Sequence, residues 1–236
     1  MSQHYTEISI DSRGVANLIL NRPEVHNAFD DQMIAELIQV LDQLAADDKV
    51  KVLTLSARGK NFSAGADLNW MRSMAQKNYQ QNLDDATELA TLMHKLDKFP
   101  KPTIALVQGA AFGGAVGLVA CCDMALAEQG ASFCLSEVKI GLIPAVISPY
   151  VMRALGERQC RRYFLTAERF SADSALTMGL LHQVVAAGEL ASQAESLIAS
   201  LLQNSPAAVS AAKALLHNIY NRKISNNVIA HTTQAI

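Results

Sequence analysis

Apolar residues recur along this chain with the period of strands in some stretches and of helices in others. Tyr5–Ile10 and Val15–Leu20 flank the turn Asp11-Ser12-Arg13-Gly14, which predicts a β-hairpin. After Asp30, Met33, Ile34, Leu37, Ile38, Leu41 and Leu44 recur at helical spacing, with Asp30 suited to the N-cap. Val50–Leu55 reads as a short buried strand, and the turn-rich loop Ser56–Gly65 leads to a helix predicted to begin near Ala66. A second amphipathic helix over roughly Leu83–Leu96 is ended by Pro100 and Pro102, and Thr103–Gln108 forms another buried strand. Strand, loop and helix therefore alternate, which predicts an α/β fold.

From about Gly188 the texture changes. Leu190, Ala194, Leu197, Ile198, Leu201 and Leu202 make one helical stripe; Val209, Ala212, Leu216 and Ile219 make another after Pro206. The chain thus divides into a core over 1–187 and a C-terminal helical region over 188–236. Periodicity leaves open whether those stripes pack on their own domain or on a neighbouring subunit.

Composition narrows the function. Half of the 236 residues are hydrophobic, enough for a sizeable core. Lys plus Arg number 20 and Asp plus Glu 22, a net charge of −2 that gives no footprint for nucleic acid or an anionic membrane. Cys121, Cys122, Cys134 and Cys160 make no CxxC pair, and the six histidines make no HxxxH or HExxH pair, so no metal site is expected. Reduced cysteines and a cytoplasmic location are the expectation. Glu7, Asp11 and Arg13 interrupt the N-terminal segment, unlike a signal peptide. Pro102–Cys122 carries no charge, but its proline, glutamine and glycines predict strand, turn and helix rather than a membrane span.

Two loops place small residues where main chain can approach a ligand closely: Asn61-Phe62-Ser63-Ala64-Gly65-Ala66-Asp67-Leu68 and Gly109-Ala110-Ala111-Phe112-Gly113-Gly114-Ala115-Val116-Gly117. Each follows a predicted strand and opens a predicted helix, where free N–H groups and the helix dipole favour an anion. Two such amides on one carbonyl oxygen would form an oxyanion hole. Neither loop is GxGxxG or GxxxxGK(S/T), so dinucleotide and P-loop readings fail. On spacing alone, tight strand-to-helix packing explains these turns at least as well.

The residues in combination say more. Leu20-Asn21-Arg22-Pro23, Asn27-Ala28-Phe29, Phe62 through Leu68, Gly109 through Gly114, Cys122-Asp123 and Glu137 to Pro144, in that order, resemble the enoyl-CoA hydratase/isomerase (crotonase) family. The resemblance covers nearly the whole chain. It implies a spiral of ββα units carrying the site, and C-terminal helices that mediate trimer contacts, often in a dimer of trimers. It implies an acyl-CoA thioester substrate, with coenzyme A as part of that substrate and no permanently bound cofactor. Matched by position, the oxyanion amides would be those of Ala66 and Gly114. Val25, Ala64, Ala66, Asp67 and Leu68 would line the adenine and pantetheine path. Ile236 ends the chain earlier than the family pattern leads one to expect, so a final helix would be missing.

Hydratases of this family typically use two glutamates, one activating water and one delivering a proton to C2. Glu137, within Leu135–Gly141, matches the second. The first belongs three residues after Gly114, where this chain has Gly117. Glu137 could act as base and then acid; the site could isomerise a double bond without water; or it could bind thioesters without turnover. By residue type alone, Glu137 could equally be a solvated loop carboxylate paired with Lys139; the family register favours catalysis. Cys134 to Phe170 looks closer to bacterial methylglutaconyl-CoA hydratases and their carboxygeranoyl relatives, a subgroup that tolerates glycine at the first position. That resemblance ranks a hydratase of leucine degradation above an isomerase. A distal carboxylate on the substrate would want a cation, with Arg153, Arg158, Arg161 and Arg162 as candidates against a plain surface role. A third reading, RNA binding on the same scaffold, is opposed by the net charge.

Overall fold

The computed structural model describes residues 4–235. β1 (Thr6–Ile10) pairs antiparallel with β2 (Val15–Leu20), and α1 (Asp31–Ala46) returns the chain so that β3 (Val52–Ala57) lies parallel to β2. α2 (Leu68–Met74) and α3 (Tyr79–Asp97) precede β4 (Thr103–Val107), followed by β5 (Ala110–Phe112), α4 (Gly114–Cys121), β6 (Met124–Glu128) and β7 (Ser132–Cys134). A 3-10 turn over Glu137–Ile140 leads to α5 (Ser148–Leu155), α6 (Glu157–Thr166), β8 (Phe170–Ser171), α7 (Ala172–Met178) and β9 (Gln183–Val185). α8 (Leu190–Leu202), α9 (Pro206–Ile219) and α10 (Asn226–Gln234) complete the described chain.

The large sheet has the order β1-β2-β3-β4-β6-β9 and is parallel beyond the hairpin; a small sheet has the order β5-β7-β8. This is the mixed α/β architecture that the crotonase resemblance implies. Its two faces follow the strand period of two. Ala16, Leu18, Leu20, Leu53, Leu55, Ala105 and Val107 join one core with α1, α3 and α4. Val15, Val52, Ile104 and Leu126, on the other face, pack against Ala194 and Ile198 of α8. The first C-terminal stripe therefore packs on its own chain. The second differs: α9 and α10 have no buried residue, and Leu216 is 65% exposed.

Capping chemistry moves two predicted helix starts, and one predicted strand is also displaced. Asp30 does cap α1, accepting from the Met33 N–H at 2.9 Å. The helix predicted to begin near Ala66 begins at Leu68, because Asp67 accepts from the N–H groups of Asn69 and Trp70. α3 begins at Tyr79 rather than about Leu83, set by a reciprocal capping box between Asn78 and Gln81. The third strand runs over Val52–Ala57, two residues later than its apolar run suggested. The uncharged run Pro102–Cys122 divides among β4, β5 and α4, and no helix among the described residues is long and apolar enough to cross a membrane.

Leu37, on the inner face of α1, is 2% exposed. Leu37→Ala is expected to cost about 2–5 kcal/mol through lost transfer energy and a residual cavity. A lower denaturant midpoint with unchanged m would record it.

Candidate active site

The two small-residue loops lie side by side, joined by main chain. Ser63 N–H donates to the Ala110 carbonyl and Phe112 N–H to the Ser63 carbonyl, both at 3.0 Å. From that bridge each strand runs three residues further, to Ala66 and to Gly114. Gly65, at φ +90°, packs so tightly that a Cβ would lie 2.6 Å from the Phe112 carbonyl oxygen.

A second bridge holds the first loop from its other side. Phe29 N–H donates to the Gly65 carbonyl, and Asp67 N–H donates to the Phe29 carbonyl, both at 2.9 Å. In such parallel pairing the intervening residue, Ala66, turns its N–H away from the partner strand. Ala66 thus precedes the α2 cap, and sheet pairing rather than a helix start leaves its amide free. Gly114 opens α4, so its N–H has no carbonyl one turn back.

The amides around these two are engaged: Ala64 donates to the His26 carbonyl, Gly65 to Ser63 Oγ, and Gly113 to the Cys134 carbonyl at 2.7 Å. Among the described residues, the N–H groups of Ala66 and Gly114 donate to nothing. Main-chain donors are rarely left unpaired away from water. Held in adjoining loops bridged in register, these two N–H groups are available to an acceptor from outside the chain.

Glu137 lies beside the second loop. Its Oε1 is 3.1 Å from where a Cβ on Gly113 would stand, and its Oε2 is buried without a hydrogen-bond partner. Burial pushes the Glu137 carboxyl above the ordinary glutamate value. It forms no ion pair with Lys139 or any other cation among the described residues. The solvated, lysine-paired reading of Glu137 therefore does not describe this side chain.

One helical turn into α4, Gly117 occupies the place of the family's other glutamate. A Cβ there would lie 2.3 Å from Ile147 Cγ2 and 3.2 Å from Met93 Sδ, both buried. The position does more than lack a carboxylate: hydrocarbon fills the space one would need.

Val25 ends a 3-10 turn over Pro23–Val25, and the Ala64-to-His26 bond aligns that turn with the first loop. Val25, Ala64 and Leu68 are exposed, a mostly apolar margin next to the Ala66 amide. The Asp67 side chain stands apart from it, engaged in capping α2 and lying 3.6 Å from Arg22. Of the four candidate arginines, Arg153 is bound to Asp97, Arg161 pairs with Glu157 and Arg162 with Glu168, while Arg158 is exposed. The sequence reading overlooked Arg169, whose guanidinium sits 4.9 Å over the Phe112 ring. It also overlooked the part played by Arg22, which donates to the Ala28 carbonyl and pairs with Asp30. No cluster of three or more His, Cys, Asp or Glu among the described residues could hold a metal.

Two predictions follow from this packing. Gly117→Ala should destabilise the protein: helix propensity favours alanine by about 1 kcal/mol, but forcing a methyl into filled space costs about 1–3 kcal/mol. Denaturant titration reads the balance. For Glu137, a carboxyl held above its ordinary value of 4.5 binds a proton more tightly folded than unfolded. Its stabilising contribution is present below pH 4.5 and is lost as pH rises through the raised value. Thermal melts across that interval should fall in the parent and flatten in Glu137→Gln, while any reaction needing the carboxylate gains rate over the same interval.

Comparisons with known proteins bear on the family of the chain. The sequence model described as Enoyl-CoA hydratase/isomerase matches residues 11–235. The structure aligns with that of an enoyl-CoA hydratase from Shewanella pealeana at TM-score 0.95 and 54% identity, covering 98% of this chain and 86% of that one. An enoyl-CoA hydratase of Alternaria alternata is 33% identical over 94% of this chain and 76% of its own length. The 2,3-dehydroadipyl-CoA hydratase of Escherichia coli is 32% identical over 84% of this chain and 76% of its own. With a match over nearly its full length, the chain belongs to the enoyl-CoA hydratase/isomerase family.

Proposed function

We propose that this protein hydrates 2-enoyl-CoA thioesters with Glu137 as its one proton-transfer group. The thioester oxygen lies between the Ala66 and Gly114 amides, which stabilise the enolate formed as water adds at C3. Such donors are worth roughly 10²–10³ in rate each. Glu137 takes the proton from the attacking water and returns it to C2, so the hydroxyl ends on C3 and the carboxylate is regenerated. Coenzyme A enters and leaves as part of the substrate, and the margin of Val25, Ala64 and Leu68 is its path. The observation that carries this reading is the pair of unpaired amides beside a buried carboxyl with no cation of its own.

The finer reading is a branched, carboxylated acyl chain of the 3-methylglutaconyl type, placing the reaction in leucine breakdown. It is supported by the likeness of Cys134 to Phe170 to that subgroup and by a relative named for 2,3-dehydroadipyl-CoA. Assembly as a homotrimer or a dimer of trimers is part of the same proposal, supported by the exposed apolar residues Leu216 and Ile229 on α9 and α10. One observation favours a second reading, a double-bond isomerase: the hydrocarbon at Gly117 leaves no second group to handle water.

A panel of enoyl-CoA esters including 3-methylglutaconyl-CoA, assayed in isotopically labelled water, tests both. Loss of the conjugated thioester absorbance with label at C3 is the expected result. Double-bond migration without label would replace hydration by the second reading, and inertness toward every ester would defeat both. Glu137→Gln should lose about 10²–10⁴-fold in kcat; an active variant removes Glu137 from the mechanism.

A further inference from the structure

Beyond the Ser63–Ala111 bridge, no main-chain hydrogen bond among the described residues joins the two strands that end in the free amides. Gly65 packs there against the Phe112 carbonyl, and further along one large side chain also reaches between them. Phe29 pairs through its main chain with the residues on either side of Ala66, and its ring reaches across to the other loop. A Cβ on Gly114 would stand 2.6 Å from Phe29 Cζ and 3.1 Å from Cε2, so the tip of the ring rests against the Gly114 backbone. The ring is fully buried. It cannot shift without displacing either the bridge at Ala66 or the first turn of α4.

We propose that Phe29 is a positioning residue that sets the separation of the Ala66 and Gly114 amides, and so the fit of the oxyanion. The inference rests on the reading of those amides as the thioester receptor. Phe29 itself is held from both sides: Arg22 donates to the Ala28 carbonyl at 2.7 Å and pairs with Asp30 at 2.9 Å, gripping the residues before and after it. A rigid ring whose base is hydrogen-bonded under one amide and whose tip abuts the other acts as a spacer. Its length matters, because an oxyanion is stabilised only by donors already placed to receive it. Leucine at 29 ends short of Gly114 and lets α4 settle toward the first loop; methionine restores reach without stiffness.

The test separates positioning from ordinary core packing. A conjugated thioester such as cinnamoyl-CoA shifts its absorbance to longer wavelength when two donors polarise its carbonyl. The wild-type protein is expected to produce that shift. Phe29→Leu should bind the thioester with little change in Kd while losing most of the shift, and with a substrate that turns over should lose on the order of 10²-fold in kcat at similar KM. Phe29→Met should recover part of both. Leu37→Ala, a truncation in the same core remote from the loops, should lower Tm and leave the shift intact. A Phe29→Leu protein with the full wild-type shift overturns the positioning role alone, as does a Leu37→Ala protein that loses the shift equally. Absence of the shift in the wild type overturns the receptor reading and this inference together.

Discussion

The parallel pairing of Phe29 with Ala66 is the constraint on which the site depends. It requires the chain to reverse sharply after β2, and the turn does so with His26 and Asn27 at φ of 55° and 53°, a region that costs non-glycine residues free energy. The compensation is visible in Asn27. Its buried side chain accepts from the Arg22 N–H and donates to the carbonyls of Arg58 and Asn61, tying the reversal to the loop that it must face. Hydrogen bonds of this kind contribute about 1 kcal/mol each and leave a larger penalty when broken. The strained turn is stable because several buried polar groups depend on it. Once it forms, Phe29 faces the first loop, the second loop is bridged to the first at Ser63, and the Ala66 and Gly114 amides are among those left without an acceptor.

The logic of the receptor is one of exclusion. Many main-chain donors in the two loops are matched to an acceptor within the fold, including Ser63, Ala64, Gly65, Asp67, Phe112 and Gly113. Those matched bonds fix the backbone on both sides of each free N–H. A donor held in this way need not reorganise when charge develops on a bound oxygen, and that is the source of its catalytic worth. The acid beside Gly113 is likewise tuned by its surroundings, since burial keeps its proton affinity above the ordinary glutamate value.

The parts of this arrangement were unequally legible in the sequence. The helical stripe of α1 and its Asp30 cap were readable because burial and capping each leave a residue-type signal at fixed spacing. The two small-residue loops were readable as places of close approach, and position matching named Ala66, Gly114 and Glu137. The reason Ala66 is free was not readable. It arises from a bridge to Phe29, 37 positions earlier in the numbering, and no local pattern marks a single-residue pairing across that separation. Phe29 and Arg22 were read only as members of the motifs Asn27-Ala28-Phe29 and Leu20-Asn21-Arg22-Pro23 that carry the family resemblance, with no role of their own. The filling of the Gly117 space by Met93 and Ile147 was hidden for the same reason: the two come from α3 and from the segment before α5, and only the packed fold brings them together.

That filling bears on which reaction the site favours. Hydration and isomerisation share their first requirement, an enolate-like oxygen between two amides, and the receptor serves both equally. They differ in what must stand next to C3. Hydration needs a water held by an acceptor and deprotonated as it attacks, whereas isomerisation needs only a base that reaches two carbons. With Gly117 packed against Ile147 and Met93, no acceptor is available from that part of α4, and the water must share the Glu137 side of the acyl chain. Glu137 can meet that demand with its own two oxygens, because Oε2 is engaged by no protein donor. One oxygen can accept from the water while the carboxyl returns its proton to C2, which confines both new bonds to one face of the double bond. Under the proposed hydration, a site built this way would make a same-face addition.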